Sequence, residues 1–109
     1  MANVKKKMVK AVDLAENFYS TLIDPIEASS YLKEALEEKG SHRQAHILKA
    51  LREIAKAHGI LKLSKGSESR RRTLYKALSE NGNPSLETLL SLLEDLGLTL
   101  DIKPLKKAG

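Results

Sequence analysis

The stretch Gly59–Asn83, GILKLSKGSESRRRTLYKALSENGN, organises the rest of this 109-residue chain. Its pattern predicts a first short helix over Ile60–Lys65, a break at Gly66 and a second short helix that begins near Ser69. A serine oxygen can accept one of the backbone N–H groups that a helix start leaves free. Ser67 and Ser69 are therefore both candidate caps of the second helix.

The second predicted helix has one apolar side and one polar side. Leu74, Ala77 and Leu78 share a face at helical spacing, and the cationic and hydroxyl side chains point away from it. Between residues 62 and 76 there are six Lys or Arg and a single acid, Glu68, which gives this segment a net charge of +5. A helix that packs against its own domain and presents positive charge to solvent is suited to bind a polyanion such as a nucleic acid. We therefore expect a helix-turn-helix DNA-binding element.

The residue types on the polar side suggest how DNA would be contacted. Arg71, Arg72 and Lys76 are placed to reach guanine O6 and N7 or phosphates, and arginine is the best bidentate reader of guanine. Arg70 lies nearer the apolar face, where we expect a backbone contact or an internal ion pair. The candidate DNA-binding residues are Lys62, Lys65, Ser69, Arg70, Arg71, Arg72, Thr73, Tyr75 and Lys76. The alternative is that the three arginines only form a solvated basic surface.

The composition is that of an ordinary globular protein. Hydrophobic residues make up 41% of the chain and charged residues 30%, whereas aromatic residues make up only 4%, so the core must be aliphatic. The absence of cysteine excludes a disulfide scaffold and favours an intracellular protein. No apolar run approaches the ~20 residues needed to span a bilayer, and the basic start VKKKMVK lacks the apolar segment of a signal peptide. We expect a cytoplasmic protein that does not contact membranes.

The positive charge is unevenly distributed along the chain. Residues 1–40 have a net charge of −1, and residues 41–109 have a net charge of +6. This asymmetry divides the chain into residues 1–40 and residues 41–109. Apolar residues every three to four positions predict an N-terminal helical extension in the first part, with helices at about 4–22 and 25–39. The second part is the predicted helix-turn-helix DNA-binding domain, with a C-terminal dimerisation strand. The basic first helix and the acidic second helix of the extension are the candidate regions for contact with a partner protein.

Capping signals locate three further helix starts. Asp24, followed by a proline at the first helical position, predicts the start of the acidic helix. Ser41 opens a capping box and a helix that runs to His58. Asn83–Pro84, a capping residue followed by proline, predicts the start of the last helix, which runs to Leu96.

The end of the chain predicts a strand and a contact between two copies. Gly97 can close the last helix, with Leu98 making the hydrophobic contact of a Schellman ending. Residues 98–102 then alternate between apolar and polar, the pattern of a half-buried strand. Because a lone strand leaves its backbone groups unpaired, we expect it to pair with another chain. The candidate dimerisation residues are Leu93, Leu96, Leu98, Leu100 and Ile102.

Nothing in the sequence predicts catalysis, a metal or a cofactor. The motifs GxSxG and HExxH and the P-loop are absent. His42 and His46 have the i, i+4 spacing of a shared helix face, but no third ligand on that helix completes a metal site. We expect a non-enzyme without catalytic residues, metal ligands or a cofactor.

Most of the chain resembles a known family. The segments IAKAHGILKLSKG and RRRTLYKALSENGNPSLETLLSLLEDLGLTLDIKP, which together span Ile54–Pro104 with a short gap, are similar to the Xre/Cro-type, lambda-repressor-like antitoxins of the addiction module antidote protein family. The most characteristic words are LYKALSENGNPSLETLL and LEDLGLTLDI, with YLKEALEEKG upstream. The resemblance extends from about Tyr19 to Pro104.

The resemblance implies an all-α protein with a lambda-repressor-like DNA-binding domain of about five helices and an extra N-terminal helix or two. It also implies a homodimer that binds an operator palindrome in double-stranded DNA, neutralises a cognate RelE/ParE-like toxin and represses its own operon, as a type II toxin–antitoxin system does.

The sequence departs from the family pattern in the turn. There, Glu68, Ser69 and Arg70 replace a glycine, an aliphatic residue and the capping serine, so the second helix could be shifted by one or two residues. Arg72 also replaces a common acid. Two alternatives stay open: a phage- or plasmid-type transcriptional repressor without a toxin partner, and a protein-interaction module that binds no DNA.

Overall fold

The computed structural model describes residues 17–106, and every regular element in that range is a helix. This confirms the all-α prediction. The predicted helix at about 4–22 is described only from residue 17 onward, so its earlier residues lie outside the described part. The helical segments are α1 (17–21), α2 (Pro25–Glu37), α3 (Arg43–His58), α4 (Ile60–Ser64), α5 (Glu68–Ala77) and α6 (Leu86–Asp95).

The core is aliphatic, as the scarcity of aromatic residues predicts. Burying one leucine side chain contributes about 1.5–3 kcal/mol, so a leucine-rich cluster from several helices can hold short elements together. Phe18 and Tyr31 pack edge to face at the edge of this core, with ring centroids 5.5 Å apart. The buried cluster comprises Leu22, Ala28, Leu32, Ala50, Leu51, Ile54, Ala55, Leu63, Leu74, Leu78, Leu92, Leu93 and Leu96.

One core therefore joins the two sides of the predicted boundary at residue 40. Leu22 and the α2 residues Ala28 and Leu32 lie in the same cluster as buried residues of α3 to α6. The division of labour between residues 1–40 and 41–109 stays a prediction. None of the helices between residues 17 and 106 is long and apolar enough to cross a membrane.

The start of α2 is as the sequence predicts, but the start of α3 is not. Asp24 Oδ1 accepts a hydrogen bond from the backbone N–H of Ile26 at 3.0 Å, and a proline occupies the first helical position. The capping box at Ser41 is wrong, because α3 begins at Arg43 and its N-cap residue makes no side-chain capping bond. Instead, the Arg43 guanidinium donates to the Leu36 carbonyl at 3.0 and 2.7 Å. This contact satisfies a carbonyl that the end of α2 leaves free.

The last helix begins two residues later than predicted. Ser85, not Asn83, is the N-cap of α6, and its hydroxyl accepts from the Thr88 backbone N–H at 3.1 Å. The helix ends at Gly97 (φ +77) in a Schellman motif, as predicted. There, the Leu98 N–H donates to the Leu93 carbonyl at 2.7 Å, and the Gly97 N–H donates to the carbonyl of residue 94 at 3.0 Å.

Residues 98–106 have no regular secondary structure. Leu98 is half-buried, whereas Leu100 and Ile102 are 48% and 95% exposed. The described residues contain no second strand with which residues 98–102 could pair. The C-terminal strand is thus not confirmed, and it stays a prediction about an assembly of two chains.

Candidate nucleic-acid interface

Two short helices and a tight turn form the α4–α5 unit, defined here as residues Ile60–Ala77. The chain reverses at Lys65 and Gly66, which are both left-handed, with φ +52 and φ +78. Glycine adopts this conformation without a steric penalty, whereas lysine does so at some cost. The first helix ends at Ser64, one residue earlier than predicted.

Ser67, one of the two candidate caps, begins the second helix. Its hydroxyl accepts from the Arg70 backbone N–H at 3.2 Å, so α5 starts at Glu68. Glu68 also places an acid in the first turn, where the helix dipole favours negative charge.

The two faces of α5 are divided as the sequence predicts. Leu74, Ala77 and Leu78 are buried in the core. Ser69, Arg72, Thr73, Tyr75 and Lys76 are exposed on the other side. Arg72 and Lys76 lie one helical turn apart, so they are neighbours on the helix surface. Neither pairs with an acid in the described part of the chain.

Arg70 is an internal residue, unlike the two arginines that follow it. Its Nε donates to the Leu63 carbonyl at 3.0 Å, and its Nη2 contacts the Ser91 hydroxyl and the Asp95 carboxylate. The side chain makes both of the contacts that the sequence analysis gave as alternatives for it. These contacts use the Nε and Nη2 of Arg70, so few of its N–H groups remain to contact DNA.

The other candidate residues differ in their exposure and in whether they already pair with an acidic side chain. Arg71 is half-buried, and its Nη2 donates to Glu68 Oε1 at 2.6 Å, within the same helix. Lys62 is exposed, and the Lys65 ammonium lies 3.8 Å from Asp95 Oδ1. Thr73 is exposed, and its hydroxyl donates to the carbonyl of Ser69 at 3.0 Å.

Two features of this region escaped the sequence analysis. Ile60, Leu61 and Leu63 are the apolar residues of the first predicted helix, yet Leu61 is 69% exposed. Arg52 of α3 donates from its Nε to the Leu78 carbonyl at 2.6 Å, across 26 residues of sequence. Its position beside Leu51 and Leu48 on a core-facing helix was the available signal.

The candidate dimerisation residues fall into two groups. Leu93 and Leu96 are only 3% and 1% exposed and pack in the core of a single chain. They therefore offer almost no surface to a second chain. Leu100 and Ile102 are exposed and therefore available, as are Leu86 and Leu90 on α6.

The acidic and histidine residues lie together on the side formed by α2 and α3. Glu27, Glu34 and Glu37 are exposed along α2. The His46 Nδ1 contacts the Glu38 carboxylate, and the rings of His42 and His46 are 6.2 Å apart. Between residues 17 and 106, no three His, Cys, Asp or Glu side chains are grouped so that they could hold a metal ion.

The fold and the α4–α5 unit define a small all-α protein that presents a cationic helix face. Comparison with known families matches residues 8–104 to the family described as "Probable addiction module antidote protein". The chain therefore belongs to this family. The description gives its members the role of antidote in an addiction module, which implies a toxin as partner.

A relative matches the chain over nearly the same length. An uncharacterized protein of Haemophilus influenzae (strain ATCC 51907 / DSM 11121 / KW20 / Rd) is 32% identical over 97 residues, which cover 89% of this chain and 93% of that protein. No solved structure matches the chain.

Proposed function

We propose that this protein is a DNA-binding antitoxin of a type II toxin–antitoxin system. As a homodimer in the cytoplasm, it binds an operator palindrome, represses its own operon and neutralises a RelE/ParE-like toxin by direct contact. The observation that carries the DNA-binding half is the exposed face of α5. There, Arg72 and Lys76 are exposed on a helix whose opposite face is anchored in the core.

The chemistry of α5 suits the major groove of duplex DNA. Arg72 and, once released from Glu68, Arg71 can donate two hydrogen bonds to guanine O6 and N7. Ser69, Thr73 and Tyr75 can contact phosphates or the methyl group of thymine. Lys62 and Lys65 then neutralise flanking phosphates.

A dimer follows from the size of this element. A helix of 10 residues is only about 15 Å long, so one copy covers a few base pairs. Two copies on half-sites roughly one helical turn apart give the longer recognition sequence that a repressor needs. The exposed side chains of Leu100 and Ile102 support pairing of the two C-terminal segments.

The α2 side is the candidate surface for the toxin. Phe18 and Tyr31 line a groove together with Glu27, Glu34 and Glu37, so aromatic rings and carboxylates lie side by side. Such a surface suits a partner that presents lysine or arginine, since guanidinium groups both stack on rings and pair with carboxylates. The basic part of the first predicted helix, the other candidate region, precedes residue 17 and lies outside the described residues.

The phage- or plasmid-type repressor without a toxin is the second candidate function, and the antidote family weighs against it. The test is to express the protein encoded by the neighbouring reading frame, alone and with this chain. An antitoxin restores the growth that the neighbouring protein arrests, and it co-purifies with that protein. Toxicity without rescue would contradict the antitoxin role.

The DNA-binding role is tested by replacing Arg71 and Arg72 with alanine. Each arginine that reads a guanine contributes about 1–3 kcal/mol of base discrimination, so the double variant should lose most of its preference for the region upstream of the operon. Fluorescence anisotropy with upstream and scrambled duplexes, over a series of salt concentrations, measures this preference.

The matched control removes the same charge elsewhere. Lys39→Ala with Lys49→Ala changes two exposed lysines outside the α4–α5 unit. We expect this variant to keep the preference for the upstream duplex. An equal loss in both double variants would show that net charge, and not the face of α5, governs binding. If the wild-type protein binds neither duplex, the protein-interaction module becomes the better function.

A further inference from the structure

At each end of helix α5, the Nε of an arginine donates to a backbone carbonyl. At its start, Arg70 reaches back to the last turn of α4 and across to α6, where it contacts Leu63, Ser91 and Asp95. At its end, Arg52 of α3 donates to the carbonyl of Leu78, the C-cap residue of α5. Three other helices therefore take part in fixing the position of this one.

Both contacts use backbone groups that would otherwise be unpaired. The last carbonyls of a helix have no partner within it, and they carry the negative end of the helix dipole. Leu63 is in the last turn of α4 and Leu78 directly follows α5. A guanidinium group is a strong donor to both because it is always charged and its N–H groups have a fixed geometry.

The contact between Arg70 and Asp95 is partly shielded from water. The two side chains are 31% and 19% exposed, so their attraction is screened less than that of a surface pair. Asp95 also lies near the ammonium of Lys65, the left-handed residue of the turn. One carboxylate at the end of α6 thus receives cations from both the turn and the helix of the α4–α5 unit.

We propose that Arg70, Asp95 and Arg52 are positioning residues that set the tilt of α5 against the domain. The inference rests on the proposed DNA-binding function and assigns these residues to it without contact to DNA. The buried apolar side chains anchor one face of α5 in the core. The arginine contacts add a fixed point at each end of the helix, and together these contacts hold Arg72 and Lys76 in the orientation that DNA binding requires.

Asp95→Asn tests this proposal by the sign of its effect. The variant removes a negative charge near the DNA-binding surface and releases Arg70 and Lys65. If only charge mattered, DNA binding would become tighter. If Asp95 positions α5, the preference for the upstream duplex over a scrambled duplex should fall roughly tenfold, the size of coupling found between residues in contact.

Glu94→Gln is the matched control, because it makes the same change in charge one residue earlier on α6. Glu94 is exposed and forms no ion pair with any residue between 17 and 106. Its variant should bind both duplexes as tightly as the wild type or slightly more tightly. Circular dichroism establishes that both variants are folded before DNA binding is measured.

Arg52→Lys tests the other end of α5 at constant net charge. Lysine keeps the charge but lacks the rigid fork that reaches the Leu78 carbonyl. We expect a reduced preference for the upstream duplex and an unchanged salt dependence of binding to the scrambled duplex.

Arg70→Met tests whether Arg70 contacts DNA. When a residue that contacts phosphate loses its charge, the negative slope of log K against log salt becomes less steep by about 0.9. Because Arg70 is proposed to act without contact to DNA, Arg70→Met should leave that slope unchanged.

The outcomes separate this inference from the function beneath it. If the wild-type protein prefers the upstream duplex but Asp95→Asn behaves like Glu94→Gln, the positioning role is wrong and the proposed function stands. A lower salt slope for Arg70→Met would place that arginine on DNA and also overturn the role. If the wild-type protein binds no DNA, both the proposed function and the inference fail.

Discussion

The three consecutive arginines of α5 have three different environments, because an α-helix turns by ~100° per residue. Arg70 faces the core side and pairs with Asp95, whereas Arg71 lies at the flank and pairs with Glu68. Arg72 faces outward and is exposed. Within residues 17–106, the run thus supplies one internal contact, one flanking residue and one exposed cation without an ion-pair partner. The charge of the run alone therefore overstates the surface available to DNA.

His58 is another residue whose role is decided by its surroundings. It ends α3, and its Nε2 is buried without a hydrogen-bond partner in the described residues. Burial and the nearby charge of Lys62 both lower the pKa of His58 from its usual value near 6.5. The imidazole is therefore neutral in the folded protein under conditions in which the unfolded chain already binds a proton.

This difference predicts a loss of stability in acid. As pH falls below about 6.5, the unfolded state takes up a proton that the folded state does not, and the free energy of unfolding decreases until the lowered pKa is reached. Urea unfolding of the wild type and His58→Gln between pH 8 and 5 measures this effect. The difference between their unfolding free energies should be constant above pH 7 and shift against the wild type below it. Parallel curves over the whole range would contradict the assignment.

At the scale of the elements, the connection between α5 and α6 is packed closely against the end of α5. A Cβ added at Gly82 would lie 2.1 Å from the carbonyl oxygen of Ala77, which is backbone and cannot turn aside. At Gly66, a Cβ would meet no atom within 4 Å, but the φ of +78 disfavours any other residue. The two glycines are therefore required for different reasons, contact at one and conformation at the other.

Gly82→Ala and Gly66→Ala should accordingly differ in their effect on stability. The strained conformation at Gly66 costs about 1–2 kcal/mol with alanine. The clash at Gly82 forces the backbone to move, and we expect a loss larger than this, on the order of 3 kcal/mol. Urea unfolding of both variants measures the two losses. A Gly82→Ala variant as stable as Gly66→Ala would mean that the loop relaxes without disturbing α5.

At the scale of the whole molecule, α2 is net acidic and the α4–α5 unit is net basic. Helix α2 has three glutamates and one lysine, whereas the α4–α5 unit has six Lys or Arg and one glutamate. Opposite charges in separate places suit a protein that binds a polyanion with one surface and a cationic protein with another. This arrangement supports the combination of operator and toxin binding in one chain.

The C-terminal segment is expected to decide the oligomeric state. Replacing Leu100 and Ile102 with aspartate places two charges at the contact between two chains, so sedimentation should show a monomer at concentrations where the wild type is a dimer. Affinity for the upstream duplex should also fall, since a monomer carries only one α5 and cannot bind both half-sites at once. Both side chains are exposed in the single chain, so the free energy of unfolding of the monomer should change by less than about 0.5 kcal/mol.

Leu105→Asp provides the control for this prediction. Leu105 is as exposed as Ile102 but follows Pro104, outside the predicted strand. It should leave the oligomeric state unchanged. If the double variant is still a dimer, the dimer interface lies on another surface, and the exposed leucines of α6 are the first candidates.

The sequence by itself determined the features that depend on neighbouring residues. The all-α class, the start of α2 at Asp24, the apolar and polar faces of α5 and the Schellman ending at Gly97 are all confirmed. Each of them is set within about one or two helical turns, because backbone hydrogen bonds and helix faces repeat every three to four residues. The same local signals located the α4–α5 unit to within one residue.

Only the tertiary structure decided which of several local signals is used and which residues meet. The sequence offered caps at Ser41 and Asn83, but α3 starts at Arg43, which contacts α2, and α6 starts at Leu86 with Ser85 as its cap. Leu93 and Leu96 proved to be core residues, since the depth of a leucine depends on what packs over it. The two contacts that hold α5 join residues 25 and 26 positions apart, and no periodicity along the chain records a contact that arises only when separate helices fold against one another.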